Sequence, residues 1–103
     1  MTSVNQRQSL IGRTVQIAVV KNGELSVDFG EGWHLVVINP FILAPDNAAG
    51  LAGSVLLTFE ERETNEALVF DDGTILTVDM RDQSYRGPEA IILVGPGTSV
   101  VWN

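Results

Sequence analysis

Apolar and polar residues alternate at a period of two along most of this chain, and Val, Ile and Leu dominate the apolar set between glycine-containing breaks. That pattern marks strands with one buried face. It predicts strands over Thr14–Val20, Leu25–Phe29 and Trp33–Asn39. Lys21–Glu24 reads as a type I′ hairpin turn, because Asn22-Gly23 accepts the positive φ angles such a turn requires. Gly30-Glu31-Gly32 makes the next turn, and Pro40, with no N–H for the ladder, ends the third strand. The first forty residues are therefore expected to form a three-stranded meander with Leu25, Val27 and Phe29 on one face. Residues 40–53 break the alternation, and Asp46 is the expected cap of one short helix ended by Gly50 or Gly53. Strands resume over Ser54–Glu60, Glu66–Phe70 and Thr74–Met80, with Asp71-Asp72-Gly73 as a turn. After an irregular Arg81–Glu89 stretch, Ala90–Val94 and Ser99–Trp102 predict a last hairpin.

An internal repeat organises these elements. Sliding the chain by 41 residues superposes Leu10 on Leu51, Gly12 on Gly53, Phe29 on Phe70, Gly32 on Gly73, Leu35 on Leu76 and Val37 on Val78 without a gap. The matches fall on expected core positions and turn glycines, where a meander needs a large apolar side chain or a positive φ. Residues 10–39 and 51–80 thus read as two copies of one three-stranded unit, and residues 90–103 as a closing hairpin. In the first strand of each copy the alternation is out of phase, Val15 and Ile17 against Val55, Leu57 and Phe59, so a bulge is expected there. The expected fold class is mainly β: an antiparallel curved sheet, sandwich or partly open barrel built from two repeated meanders, a hairpin and one short helix.

Length and composition narrow the function classes. A chain of 103 residues makes one domain. The absence of cysteine removes disulfides, thiolate metal sites and a cysteine nucleophile. A net charge of -7 disfavours nucleic acid and anionic membranes as partners, since both are held by Lys and Arg. Neither a signal peptide nor a spanning segment is visible, and a cytoplasmic location is the default expectation.

Candidate chemistry is sparse. His34, the single histidine, sits in a predicted strand on the face shared by Val36 and Ile38, and no G-x-S-x-G elbow accompanies it. The expectation is a strand histidine bonded to a neighbouring backbone group. The pairs Glu60-Glu61 and Asp71-Asp72 fail the geometry of facing carboxylates, because adjacent strand residues point to opposite faces. Asp71-Asp72-Gly73 reads as a turn and lacks the alternating oxygen ligands of a calcium loop. No metal site and no cofactor are expected. Tyr85, in the irregular stretch, is a candidate interface anchor, and Trp102 a candidate core plug of the last hairpin.

Charge distribution points further. Residues 53–103 carry nine acids and three bases, whereas residues 1–52 carry four and three. Between Glu60 and Asp82 alone there are eight acids against Arg62 and Arg81. Concentrating one sign of charge raises local potential and speeds association with a basic partner. The candidate partner-binding residues are therefore Glu60, Glu61, Glu63, Glu66, Asp71, Asp72, Asp79, Asp82 and Tyr85.

The L-I-G of Leu10–Gly12, the N-P-F of Asn39–Phe41, the F-D-D-G-T-I-L-T-V of Phe70–Val78 and the terminal G-P-G with V-V-W together resemble a family of small bacterial β-rich proteins. These are similar in scale and composition to immunity proteins of polymorphic and contact-dependent toxin systems. The resemblance implies a protein that binds and neutralises a cognate toxin, and the acidic charge makes the expected partner of this non-enzymatic protein a basic toxin, such as a nuclease. Two other expectations stand beside it: a self-associating module, with a homodimer contact through His34, Val36 and Ile38, and a small-ligand binder with an interior pocket.

Overall fold

In the computed structural model, which describes residues 7–45, 47–84 and 89–102, the chain first reverses at Asn22-Gly23. Their φ angles of 54° and 78° are those a type I′ turn demands. The turn joins β1 (Ile17–Lys21) to β2 (Glu24–Gly30), and left-handed Gly30, Glu31 and Gly32 lead into β3 (Trp33–Val37). The second meander is β5 (Leu56–Glu61), β6 (Asn65–Phe70) and β7 (Ile75–Asp79). Between the meanders lie β4 (Phe41–Ala44) and a 3-10 turn over Ala48–Leu51; after them come a 3-10 turn over Asp82–Ser84, β8 (Ile91–Gly95) and β9 (Thr98–Trp102). Asp46, Tyr85 and the Trp102 side chain lie outside the described residues. The cap of the first 3-10 turn is Asn47, whose side chain accepts from the Gly50 N–H.

The strands form two antiparallel sheets, ordered β1-β2-β3-β8-β9 and β5-β6-β7-β4, with no closed barrel. Their facing sides merge into one core. Leu25, Val27, Phe29, Leu35, Val37 and Leu93 from the first sheet meet Leu56, Phe59, Leu68, Phe70, Leu76 and Val78 from the second. Along most strands these residues alternate with half-buried or exposed ones, which is how a half-buried pleat presents itself; β6 departs at Ala67, buried between Glu66 and Leu68, and β5 at Leu57-Thr58.

β4 is a finding the alternation did not predict. Residues 40–53 were expected to be a break with one short helix, yet Phe41–Ala44 pairs along its whole length with β7. The sheets exchange these strands: the chain leaves β3 to become β4 beside β7, and leaves β7 to become β8 beside β3. The pairings correspond, Val37 opposite Ile91 matching Val78 opposite Phe41, and Leu35 opposite Leu93 matching Leu76 opposite Leu43.

The two halves cross at an antiparallel bridge between Thr14 and Val55, residues themselves 41 apart. Around it the bonds come in exchanged pairs. The Gly12 N–H donates to the Leu56 carbonyl and the Gly53 N–H to the Val15 carbonyl, both at 2.8 Å. The Val15 N–H donates to the Ser54 carbonyl at 2.8 Å, and the Leu56 N–H to the Arg13 carbonyl at 3.0 Å. Swapping the halves maps each bond onto another, which is a local two-fold through the Thr14–Val55 bridge. Gly12 and Gly53, at φ 89° and 92°, make the same left-handed bend on either side. The short helices correspond too, residues 7–10 to Ala48–Leu51.

The phase conflict in the first strands resolves at Leu57. A register shift between Leu56 and Thr58 turns Leu57 outward and leaves Leu56 and Phe59 in the core. Val15 and Leu56 are thereby equivalent and both buried. Ile17, grouped with Val15 by alternation, instead faces solvent.

Candidate functional site

The acidic stretch between Glu60 and Asp82 follows the second meander, and the meander divides it between two ends of a sheet. Glu60 and Glu61 close β5, Glu63 lies in the β5–β6 turn, and Asp79 ends β7 at the same end. Asp71 and Asp72 lie in the β6–β7 turn, about 17 Å away at 3.3–3.4 Å per residue of β6. The eight carboxylates therefore do not form one surface.

Several are taken up by the fold. Glu66 is the clearest correction: it was counted among the partner-binding residues, but it is 2% exposed. Its two carboxylate oxygens accept from Arg7 Nε and Nη2, each at 3.0 Å. Under the 41-residue shift Glu66 falls on Leu25, a core position of β2, so its side chain points inward and Arg7 closes over it, stacked 5.5 Å from the Phe59 ring. Burial pushes the Glu66 carboxyl above its ordinary pKa, against the opposing pull of Arg7. Asp71 accepts from the Val55 N–H at 3.0 Å. Asp72 accepts from the Thr74 N–H and the Ser54 hydroxyl, pinning its turn to the strand crossing. Asp79 is held by Arg81, with Nη2 2.6 Å from Oδ2, and by the Ser84 hydroxyl at 2.7 Å. The hydrogen bonds from Arg81 hold the Asp79 carboxyl well below the usual carboxylate range.

What remains at one end is a smaller cluster. Glu60, Glu61, Glu63 and Asp82 are all exposed. Among the described residues only Glu60 of these four has an ionic neighbour, Arg62 at 3.5 Å, and exposure of both side chains makes that pair weak. The Met80 N–H donates to the Thr64 carbonyl at 2.9 Å, which ties the segment carrying Asp82 to the turn carrying Glu63. The Arg62 N–H closes the turn on the Asn65 carbonyl at 2.8 Å. Four candidate residues thus lie at this end, Glu61 on the face of its cross-strand partner Glu66 and Glu60 on the opposite face, with the Asp79–Arg81 pair at the same end. Asp71 and Asp72 stand apart, and Tyr85 lies outside the described residues.

At this end is a shallow cleft of about 260 Å³ lined by Pro40, Phe41 and Ile42, by Thr77, Asp79 and Arg81, and by Thr64 and Asn65. It is open and smaller than the roughly 300–1,000 Å³ typical of ligand pockets. Alternation gave no sign of it, because β4 was not recognised as a strand.

His34 is half-buried on the outer face of the first sheet, and its Nε2 lies 2.7 Å from the Ser26 hydroxyl across β2–β3. Its partner is that hydroxyl and not the backbone group expected. A serine and a histidine in contact share the geometry of a nucleophile and its base. Asp28, the cross-strand neighbour of His34, turns its Oδ1 to the Gly30 N–H at 2.7 Å. The pair lies on the face of the sheet away from the cleft. Among the described residues no cluster of His, Asp and Glu has the arrangement of a metal site, and no helix is long and apolar enough to cross a membrane.

Compared with known proteins, the chain matches no family model, no curated protein and no solved structure.

Proposed function

We propose that this chain is a protein-binding module, not an enzyme, that engages a basic partner through the acidic end of its second sheet. One observation carries the reading. The fold uses Glu66, Asp71, Asp72 and Asp79 internally, while Glu60, Glu61, Glu63 and Asp82 are all exposed at one end of the second sheet. A one-sign cluster held on the rigid end of a sheet steers encounter and raises association rates by about 10–1,000-fold at low salt. In its most specific form, drawn from the immunity-protein resemblance, the partner is a cationic toxin such as a nuclease. Laying carboxylates across its substrate site would exclude a polyanionic substrate by mimicry and by bulk. A standard interface buries about 1,600 Å² in total, within reach of a domain this size.

The test reverses Glu60, Glu61, Glu63 and Asp82 to Lys and measures association with the basic toxin domain encoded by an adjacent reading frame. Association should slow by at least tenfold at low salt, with the difference shrinking as salt screens it. Glu24→Lys, an exposed charge change in the first sheet, should have little effect. Equal rates for the wild type and the fourfold variant would overturn the proposal.

A second reading has its own observation. Ile17, Val19, Val94 and Val101 are exposed on the outer side of the first sheet, around half-buried His34, Val36 and Ile38. That face suits self-association, and sedimentation velocity decides it: a monomer at every concentration removes this reading.

A further inference from the structure

The two sheets are equivalent strand by strand up to one place. Exchange of the halves carries β1, β2, β3 and β8 onto β5, β6, β7 and β4, yet β8 has β9 beside it and β4, among the described residues, has no second neighbour. Among the described residues β4 is therefore a sheet edge at the position where its equivalent, β8, is paired.

The backbone of β4 is set for such a strand. The Asp79 N–H donates to the Pro40 carbonyl at 2.9 Å. Hydrogen-bonded and non-bonded pairs alternate along an antiparallel ladder, so Ile42 and Ala44 bond to β7 while the N–H and C=O groups of Phe41 and Leu43 face the open edge. Their equivalents in β8, Ile91 and Leu93, stand opposite Trp102 and Val100 of β9. Among the described residues no bond outside the β4–β7 ladder reaches Phe41 or Leu43. The side chains agree with the backbone. Ile42 is 69% exposed, the highest among the exposed large apolar residues, whereas its equivalent Ile92 is half-buried opposite Val101.

We propose that the β4 edge accepts an extended segment of a partner protein as a fifth strand, antiparallel to β4 and with the chemistry of β9. That chemistry is uncharged, with three β-branched residues among the five of the Thr98–Trp102 sequence TSVVW. The mode is strand addition, in which main-chain bonds supply affinity and alternate side chains supply selectivity. By correspondence with β9, a valine of the incoming strand covers Ile42, and its C-terminal end arrives beside Pro40 and Asp79. That end carries the exposed carboxylates, so a Lys or Arg just past the strand suits it. This last feature rests on the acidic-end reading, and the strand site does not.

The experiment is an amide NMR titration of the whole chain with two blocked peptides, GTSVVW and GTSVVWKK. Both should shift the Phe41 and Leu43 amides and slow their hydrogen exchange, and GTSVVWKK should bind several-fold more tightly at low salt. Ile42→Lys, at an exposed position, should keep the thermal midpoint and weaken both peptides at least tenfold, since a charge on an edge strand opposes pairing. Leu43→Pro removes one edge N–H and should do the same, with circular dichroism checking its fold. Equal binding of the two peptides upholds the strand site and removes the basic flank, so the two readings fail separately. No change at Phe41 and Leu43 with either peptide overturns the proposal. So does protection of those amides that grows with protein concentration alone, which assigns the edge to a second copy.

Discussion

Among the described residues, Arg7 and Glu66 form the ion pair whose loss the fold should feel most strongly. Each is under one-tenth exposed at its side chain, so removing one partner strands a charge in the core. Arg7→Ala should cost about 3–5 kcal/mol in denaturant unfolding, whereas the double replacement Arg7→Met with Glu66→Leu should be neutral or stabilising by about 1–4 kcal/mol. The second outcome is expected because Leu25 already fills the equivalent position. Asp79 and Arg81 call for a different measurement. The hydrogen bonds of Arg81 lower the Asp79 pKa in the folded state, so their contribution to stability is present above the unfolded value of about 3.9 and is lost as pH falls below it. Glu66 acts in the opposite sense: its raised pKa means that stability falls as pH rises from about 4.3 through the folded value. Arg81→Ala should raise the Asp79 pKa in a carboxyl NMR titration and flatten the loss of thermal midpoint below pH 4. At this scale the sequence showed which residues are acidic but not which are used internally. The one signal available was the 41-residue shift, which sets Glu66 on Leu25.

Among elements, the crossing at Thr14–Val55 is what joins two meanders into one core. Gly12 and Gly53 each make the bend that sends an N–H across it, and an added Cβ would meet nothing within 4 Å at either site. The cost of Gly12→Ala and Gly53→Ala is therefore that of a left-handed backbone alone, about 1–2 kcal/mol each. Equal unfolding costs for the two are the expected result, and a clear inequality would contradict the equivalence of the halves. Meanders were legible because each has short turns and strands that keep a period of two over most of their length, the shift at Leu57 being the departure in β5. β4 was not, because Phe41–Ala44 is four apolar residues with no polar alternation. Its pairing partner also lies more than thirty residues away in β7. The exchange of β4 and β8 between sheets was invisible for the same reason: alternation reports which face is buried, not which strand is the neighbour.

For the molecule as a whole, a shared framework carries two different surfaces. The first sheet is five-stranded, with exposed apolar residues on its outer face and Lys21, Glu24 and Asp28 along β1 and β2, and the second has, among the described residues, one strand fewer and an acidic end. Reading charge along the chain located the acidic half correctly but overstated its extent, since a linear run of carboxylates becomes two ends of a sheet about 17 Å apart once it folds back at each turn. The central claim is that the cluster of Glu60, Glu61, Glu63 and Asp82 is the surface a basic partner meets. Hydrogen–deuterium exchange on the complex with that partner measures it directly. The account predicts slowed exchange confined to residues 60–64 and 80–84 and to the adjoining β4 edge, lost in the fourfold Lys variant. A footprint on the outer face of the first sheet, or one unchanged by the charge reversal, would contradict it.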